Sequence, residues 1–329
     1  MTKTQEPIFL ISLPRSGSTL LQKILATSPD IATVSEPWIA LPLAYMRRDR
    51  GLISEYWQRT CAVAIDDLVA QFPRGEEDFD ELCRNFILGA YDKASAGGAR
   101  YFLDKTPRYY LATDFLERLF PDAHFIYLFR HPLDVLSSVF STWHKNSFSP
   151  KVRGSAVDLW RGPERVAEAH RHAKARKLRI DYEDLVSKPA GIIAAVEDFL
   201  DVKFPATALE DYKAIEFAGR MGDPTKGRKY DGVDSASVGG WSKFASNIYR
   251  KRFLRRYVED LPEIVFEEFR LDRRALLAEV DSIRCGFSGA TADMLGHQQL
   301  RLSIWLQQLY PFPDSRILPR SERARIPLG

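Results

Sequence analysis

Cysteine is scarce in this sequence, and its placement does not suggest a disulfide framework or a metal site. Cys61, Cys83 and Cys285 are scattered along the chain. Because their number is odd and their spacing fits no zinc pattern, we predict buried thiols in a reducing compartment. The six histidines are also dispersed, and His170 and His172 would lie on different faces of a helix. The sequence therefore predicts no bound metal.

Long apolar runs and an excess of one charge are missing as well. No apolar run approaches about 18 residues, and the N-terminal MTKTQEP lacks the hydrophobic stretch of a signal peptide. We therefore expect a soluble, cytoplasmic protein without a transmembrane segment. The net charge is only +3, which is too balanced for a nucleic-acid-binding surface. With 329 residues and 45% hydrophobic content, the chain can bury one large core.

The segment PIFLISLPRSGSTLLQKILATSPD, from Pro7 to Asp30, has the pattern of a strand, a polar turn and a helix. Residues 8–11 are apolar strand formers in a run too short for an independent helix. After the turn, four apolar residues recur at the spacing of one helical face: Leu20, Leu21, Ile24 and Leu25. The segment therefore predicts a buried strand joined to an amphipathic helix.

The turn at residues 14–19 has the chemistry of an anion-binding site. Gly17 allows the backbone to approach a ligand closely, and the first N–H groups of the following helix point outward. Arg15 adds a planar cation. Three hydroxyl side chains add further donors: Ser16, Ser18 and Thr19. A serine-rich cap of an ordinary helix has the same composition, so that alternative stays open for this segment alone.

The turn departs from the nucleotide P-loop pattern G-x-x-x-x-G-K-[ST] at two positions. With Gly17 at the second glycine, Ser12 replaces the first glycine and Ser18 replaces the lysine that contacts the terminal phosphates. No carboxylate follows the apolar strand at 124–129, where a kinase would place a Mg²⁺ ligand. A P-loop-like kinase or ATPase and a catalytically idle nucleotide-binding module remain as alternatives.

A second motif follows the segment HFIYLF, residues 124–129, whose continuous apolar character is typical of a central parallel strand. Arg130 ends this strand, and His131-Pro132-Leu133-Asp134 begins a helix. Ser138 would then lie about two helical turns from Arg130. Each of the two motifs therefore lies at a junction between a predicted strand and a predicted helix.

These motifs resemble those of the PAPS-dependent sulfotransferases, in which PAPS is 3′-phosphoadenosine 5′-phosphosulfate. A strand followed by P-[RK]-S-G-[ST]-[ST]-L resembles their loop for the 5′-phosphosulfate, and R-[HND]-P-x-D-x-x-x-S resembles their 3′-phosphate motif. The resemblance implies that Arg130 and Ser138 bind the 3′-phosphate. It implies that the 5′-phosphosulfate is bound by Arg15, Ser16, Gly17, Ser18, Thr19 and Leu20. Motif spacing is most similar to the tyrosylprotein and carbohydrate members, and the resemblance implies a bacterial-type member of the family.

Residues 101–104 predict another short strand, and Lys105 follows its carboxyl end, where open α/β sheets bind ligands. Thr106 as N-cap and Pro107 in the first turn predict a helix directly afterwards. The Lys105-Thr106 pair resembles the K-[ST] motif of carbohydrate sulfotransferases. The resemblance implies that Lys105, with Arg15, stabilises the leaving phosphate.

Glu36 lies before Pro37, at the distance from Arg15 at which tyrosylprotein sulfotransferases carry their general base. The resemblance therefore implies that Glu36 accepts the acceptor's proton. Cytosolic small-molecule members use a histidine two residues after the lysine, but this chain has Pro107 there. His131 is the second candidate for the base, although a residue beside the 3′-phosphate motif would lie on the wrong side of PAPS.

Two later segments complete the predicted PAPS site. RKLRIDY, residues 176–182, predicts a strand, and the family's similar Tyr-Glu-Asp-Leu implies that Tyr182 lies near the adenine. The segment Thr225–Lys243 is rich in glycine, serine and lysine without periodicity, which predicts a loop. It loosely resembles the late loop that closes over PAPS. Four of its residues are candidates for a phosphate contact: Arg228, Lys229, Ser237 and Lys243.

Together these patterns predict an α/β, P-loop-like three-layer fold with a central parallel sheet flanked by helices. We predict a sulfotransferase domain over 5–250 with a helical insertion at about 45–97, and a helical C-terminal extension over 251–329. The resemblance implies metal-independent, in-line sulfuryl transfer from PAPS to a hydroxyl or amine. The acceptor stays open among saccharides, phenols, peptide tyrosine and metabolites, as does a homodimer. Three tryptophans could stack on an acceptor or belong to the core: Trp38, Trp57 and Trp143.

Overall fold

The computed structural model describes residues 5–48, 54–95, 98–217 and 237–309. The chain divides into two compact units. The first, here the sheet unit, contains the described residues within Met1–Ala44, Asp67–Arg130 and Ala169–Ser235. The second, here the helical unit, contains those within Tyr45–Asp66, His131–Glu168 and Ala236–Gly329. Among the described residues, no helix is both long and apolar enough to span a membrane.

The sheet unit is built on a parallel sheet of five strands in the order β2-β3-β1-β4-β5. The strands are β1 (Glu6–Ser12), β2 (Ile31–Thr33), β3 (Tyr101–Asp104), β4 (His124–Phe129) and β5 (Arg176–Asp181). The strands on either side of β1, β3 and β4, are buried along their whole length, as expected for parallel strands covered on both faces. The predicted parallel α/β fold is therefore confirmed. The edge strand β2 was not predicted, because three residues are too few for a periodic pattern.

The described α-helices belong to both units, and several of them connect consecutive strands. In chain order, the α-helices are α1 (Ser18–Leu25), α2 (Ala40–Tyr45), α3 (Gln58–Val69), α4 (Glu76–Ala94), α5 (Thr113–Leu119), α6 (Pro132–Trp143), α7 (Gly162–His172), α8 (Tyr182–Ser187), α9 (Pro189–Leu200), α10 (Ala208–Asp211), α11 (Ile248–Asp260), α12 (Glu263–Glu268), α13 (Arg273–Ser282) and α14 (Ala290–Leu309). Short 3₁₀ segments span Tyr109–Leu111, Pro150–Ser155, Tyr212–Ala214 and Gly240–Phe244, and a π-helical turn spans Val157–Arg161.

Alternating side chains of β1 pack into two different apolar clusters, one on each face of the sheet. Ile8 and Leu10 belong to the cluster that contains the buried face of α1, including Leu21. Phe9 points to the opposite face, where its ring centroid lies 5.4 Å from that of Phe120 and 5.2 Å from that of Phe125. Burying each such side chain contributes roughly 1.5–3 kcal/mol. The two layers hold the carboxyl end of β1, and hence the turn after it, in a fixed position.

Two stripes of apolar side chains have helical spacing on α4. Leu82 and Phe86 share a stripe with Tyr91 in the sequence, but each of the two is 59% exposed. The helix instead buries a neighbouring stripe, consisting of Phe79, Cys83, Ile87 and Tyr91. Both stripes have helical spacing, so only the partners of α4 could decide between them.

In the helical unit, the C-terminal helix α14 packs on an aromatic cluster around Phe148. A side chain at Gly296 would lie 2.1 Å from the carbonyl oxygen of Phe148, so only glycine permits this approach. Arg250 of α11 forms an ion pair of 2.7 Å with Asp293 of α14, and both side chains are about nine-tenths buried. The described part of the C-terminal segment, whose role the sequence left open, is therefore a packing element of this unit.

Candidate active site

The turn between β1 and α1 depends on glycine at position 17. Gly17 has φ of 89°, and a Cβ atom there would lie 2.4 Å from the Cδ2 and Cε2 atoms of Tyr182. Any other residue would clash with this ring as well as strain the backbone. Arg15 also has positive φ, 67°. The turn therefore leads into α1 with its backbone fixed against the first residue of α8.

Arg130, at the carboxyl end of β4, contacts the same turn. Its Nη1 donates to the backbone oxygen of Arg15 at 2.8 Å, and its guanidinium carbon lies 4.3 Å from the ring centroid of Tyr182. A planar guanidinium stacked on an aromatic face is held in a defined orientation. The structure thus brings together four predicted PAPS-binding residues from three distant segments: Arg15, Gly17, Arg130 and Tyr182.

The other predicted residues of the turn differ in how accessible they are. Ser16, Ser18 and Leu20 are buried, whereas Arg15 and Thr19 are partly exposed. The first N–H groups of an α-helix have no acceptor within the helix. Because α1 begins at Ser18, directly after Gly17, the turn offers those N–H groups and the partial positive charge of the helix to an anion.

Glu36 and Lys105 form a buried ion pair. The Nζ atom of Lys105 donates to Oε1 of Glu36 at 2.7 Å, and the two side chains are only 1% and 9% exposed, respectively. The Nε1 atom of Trp38 donates to the other carboxylate oxygen at 3.1 Å. Both oxygens of Glu36 are therefore held in place, next to a cation that follows β3.

Trp38 was only a weak candidate in the sequence, yet it is central to the site. Its φ is 58°, an unusual value for a bulky residue, and strained backbone is often found at functional sites. Its backbone N–H donates to Oγ1 of Thr106 at 3.2 Å. That hydroxyl donates in turn to Asp104 at 3.0 Å. Two hydrogen bonds through the Thr106 hydroxyl therefore connect Trp38 to Asp104, the last residue of β3.

These contacts explain why the predicted helix start at Thr106 is wrong. The Thr106 hydroxyl is engaged with Asp104 and Trp38, and its side chain caps no helix. The chain forms a 3₁₀ turn at Tyr109–Leu111, and α5 begins only at Thr113. A capping pattern in the sequence was overridden here by hydrogen bonds to a distant segment.

Asp104, the last residue of β3, is fully buried beside Lys105. Its Oδ2 atom accepts hydrogen bonds from the hydroxyls of Tyr91 at 2.6 Å and Tyr109 at 2.7 Å. Burial raises the pKa of Asp104 from 3.8 to about 6, although these hydrogen bonds, that from Thr106 and the charge of Lys105 oppose the shift. No role was predicted for Asp104 from the sequence, although a carboxylate that ends an otherwise apolar strand was the available signal.

The raised pKa predicts a pH dependence of stability. Between about pH 4 and 6 the folded protein holds more protons at Asp104 than the unfolded chain does, so this contribution to stability is lost as the pH rises through that window. We expect the difference in free energy of unfolding between wild type and Asp104→Asn to change by about 2 kcal/mol between pH 4.5 and 7. Urea denaturation at several pH values measures it.

The control for this experiment is Asp114→Asn, which removes an exposed carboxylate in the first turn of α5. This variant should follow the pH dependence of the wild type. Equal pH dependence of the wild type and Asp104→Asn would show that Asp104 does not titrate in this range. Direct ¹³C NMR titration of the Asp104 carboxyl provides the second measurement if the variant is too unstable.

Two residues of the motif that begins at Arg130, His131 and Asp134, lie in the helical unit and have structural roles there that were not predicted from the sequence. Nδ1 of His131 accepts a hydrogen bond from the N–H of Leu133 at 3.2 Å and so caps α6. Asp134 is buried and accepts from the N–H groups of Gly239 at 2.8 Å and Trp241 at 2.9 Å. The carboxylate of this motif therefore fixes the turn that precedes the 3₁₀ segment at Gly240–Phe244. Ser138 is partly exposed in the second turn of α6.

The predicted late loop is only partly covered by the structure. Arg228 and Lys229 lie outside the described residues, while Ser237 and Lys243 are exposed in the helical unit. Trp57 and Trp143, also in that unit, are 77% and 37% exposed and are therefore not core residues. Among the residues that the structure describes, there is no group of three or more side chains suited to hold a metal ion.

The sequence profile of the sulfotransferase family matches residues 7–206, well over half of the chain. This protein therefore belongs to the sulfotransferase family. The match begins in β1 and covers β1 to β5, the turn at Gly17, the Glu36–Lys105 pair and Arg130. The family membership inferred from the two motifs is confirmed.

Individual relatives show how far the similarity extends. Nodulation protein NoeE of Sinorhizobium fredii is 36% identical over 137 residues, which are 41% of this chain and 31% of that protein. Protein-tyrosine sulfotransferase 2 of Gallus gallus is 25% identical over 220 residues, which are 65% of this chain and 56% of that protein. The chain thus matches about a third of the first relative and just over half of the second.

A solved structure supports the fold. The sulfotransferase domain from the curacin biosynthetic pathway superimposes with a TM-score of 0.55 at 22% sequence identity. The superposition covers 83% of this chain and 99% of that domain. At this level of identity, the similarity concerns the arrangement of the strands and helices and does not extend to a substrate.

Proposed function

We propose that this protein transfers a sulfuryl group from PAPS to a hydroxyl, or alternatively an amine, of an acceptor. Membership of the sulfotransferase family supports the reaction class. Glu36 is the proposed general base, and Lys105 with Arg15 stabilises the leaving phosphate. The observation that carries the proposal is the buried Glu36–Lys105 pair, which joins a proton acceptor and a cation at 2.7 Å in the sheet unit.

The residues of the sheet unit fit such a donor. PAPS would bring a 5′-phosphosulfate, a 3′-phosphate and an adenine. Donors for the 5′-phosphosulfate are the N–H groups that begin α1 and the side chains of Arg15, Ser16, Ser18 and Thr19. Arg130 is the proposed partner of the 3′-phosphate, and Tyr182 of the adenine. For Ser138, Ser237 and Lys243, a contact with PAPS stays a prediction from the sequence.

The proposed reaction is an in-line displacement at sulfur. The acceptor oxygen forms a bond to sulfur, and the bond from sulfur to the bridging oxygen of the 5′-phosphate breaks. Glu36 takes the proton of the acceptor hydroxyl. The electron pair of the broken bond remains on the phosphate of 3′,5′-diphosphoadenosine, where Lys105, Arg15 and the N–H groups of α1 stabilise the new charge.

The proposal predicts tight binding of 3′,5′-diphosphoadenosine in the absence of Mg²⁺. Cations from the side chains and the start of α1 would offset the phosphate charge, so a divalent ion is not needed. Calorimetric titration in buffer containing EDTA tests this, with AMP as the control that lacks the 3′-phosphate. Mg²⁺-dependent binding of ATP without binding of the diphosphate would instead support a kinase or ATPase and refute the proposal.

A further inference from the structure

A cavity of about 550 Å³ lies in the sheet unit, and its walls include Pro37 and Trp38, the two residues that follow the proposed base in the chain. Its walls come from the segment between Val34 and Leu43, from α4 and from Phe102 of β3. Pockets of about 300–1,000 Å³ are the usual size for small-molecule ligands. The side chains that line this cavity, among the residues that the structure describes, are aliphatic or aromatic, and none of them carries a charge.

The few polar atoms on the lining side chains already have partners within the protein. Nε1 of Trp38 donates to Glu36 at 3.1 Å. The hydroxyl of Tyr91 donates to the buried Asp104 at 2.6 Å. A ligand with many hydroxyl groups would therefore find no free side-chain partner among these walls, and burying unpaired polar groups is unfavourable.

Trp38 connects this cavity to the proposed catalytic pair. Its indole ring forms part of the wall, and the nitrogen of the same ring donates to the Glu36 carboxylate. Hydrogen bonds from its backbone to Thr106 and from its ring to Glu36 hold Trp38 in this position. A molecule in the cavity therefore contacts the side chain that orients Glu36.

One wall residue is exposed although it is a large apolar side chain. Phe86 lines the cavity and is 59% exposed. An apolar ligand in the cavity would cover part of this ring, which is favourable because apolar surface is removed from water. Leu82 lies one turn earlier on α4, is also 59% exposed and does not line the cavity. Substitutions at Phe86 and Leu82 therefore offer a matched comparison between a residue of the cavity wall and an equally exposed residue outside it.

From these contacts we infer that the acceptor is a small alcohol with an apolar body, such as a phenol or an alkanol, and that this body occupies the cavity. The inference rests on the proposed sulfuryl transfer and specifies its substrate class. The hydroxyl of the acceptor extends past Trp38 towards Glu36. Saccharides are disfavoured, because their additional hydroxyl groups would have to be buried among these apolar walls.

Binding of 2-naphthol to the full chain tests the cavity without requiring catalysis. Fluorescence titration should give saturable binding to wild type. Removing the phenyl ring in Phe86→Ser should raise the dissociation constant by about tenfold, given the apolar contact that is lost. Ala90→Trp, which fills the cavity from α4, should raise it by at least as much. Leu82→Ser should leave it within about twofold, because surface substitutions away from a site have small effects.

Transfer assays with PAPS then compare 2-naphthol, 1-decanol, methyl α-D-mannopyranoside and a tyrosine-containing peptide. We expect sulfation of one or both apolar alcohols, with 2-naphthol identifying an aromatic body and 1-decanol an aliphatic one. The inference is refuted if Ala90→Trp and Phe86→Ser bind 2-naphthol as wild type does, or if only the mannoside or the peptide is sulfated.

Titration with 3′,5′-diphosphoadenosine separates the proposed apolar acceptor site from the proposed sulfuryl transfer. Binding of 2-naphthol with the expected variant pattern, but none of the diphosphate, would refute sulfuryl transfer and retain the apolar site.

Discussion

Replacing Glu36 with glutamine should lower kcat by roughly 10² to 10⁴, the usual contribution of a general base. Glutamine preserves the size of the side chain and can still accept a hydrogen bond from Trp38, but it cannot take the acceptor's proton. Affinity for 3′,5′-diphosphoadenosine should change little, because the proposed phosphate contacts do not include Glu36. Steady-state kinetics together with calorimetric titration of the diphosphate measures both quantities.

The ion pair with Lys105 requires a stability control for this variant. Glutamine leaves the Lys105 cation buried without its carboxylate, and breaking a buried pair costs about 3–5 kcal/mol. Urea denaturation should therefore show a less stable protein, and kinetics must be measured where the variant is fully folded. Glu36→Asp retains a proton acceptor and the charge, and it should recover part of the lost rate. A Glu36→Gln variant with normal turnover would place the base elsewhere, with His131 as the next candidate to test.

Arg130→Ala and Lys105→Ala should damage different kinetic parameters. The 3′-phosphate does not change during the reaction, so its proposed partner Arg130 contributes equally to the ground state and the transition state. Loss of the planar guanidinium that pairs with the doubly charged 3′-phosphate should raise the KM for PAPS by roughly tens to hundreds of fold and leave kcat within a few fold. Lys105 faces charge that develops as sulfur departs, so its loss should appear mainly in kcat. Initial-rate measurements at varied PAPS concentration separate the two effects.

Conservative variants distinguish these roles from loss of structure. Arg130 also donates to the backbone of Arg15 and stacks on Tyr182, so Arg130→Lys tests charge without the planar fork. Lys105→Met preserves most of the side-chain volume and removes the cation. Wild type should prefer 3′,5′-diphosphoadenosine to AMP strongly, whereas Arg130→Ala should lose most of that preference. Should Arg130→Ala discriminate as wild type does, the 3′-phosphate is held by another group, and our assignment of the motif is wrong.

Local patterns in the sequence were sufficient to predict the strands and turns that carry the site. The apolar run before Pro14, the glycine in the turn and the helical spacing after it are all contained within Pro7–Asp30. They predicted β1, the turn and α1, because each depends on residues that are close in sequence. The same holds for β4, Arg130 and the start of α6. Family membership also followed from these two segments.

The tertiary structure decided which of these segments meet and what they present to each other. Glu36 and Lys105 are 69 positions apart, and Asp134 and Trp241 are 107 apart, so no local pattern reports their contacts. The choice between the two stripes of α4, which leaves Phe86 at the cavity, depended on the partners of that helix. The strained backbone of Trp38 persists because Thr106 and Glu36 hold the residue from two sides. Sequence periodicity can determine which side chains share a face, but only packing against distant segments determines what that face contacts.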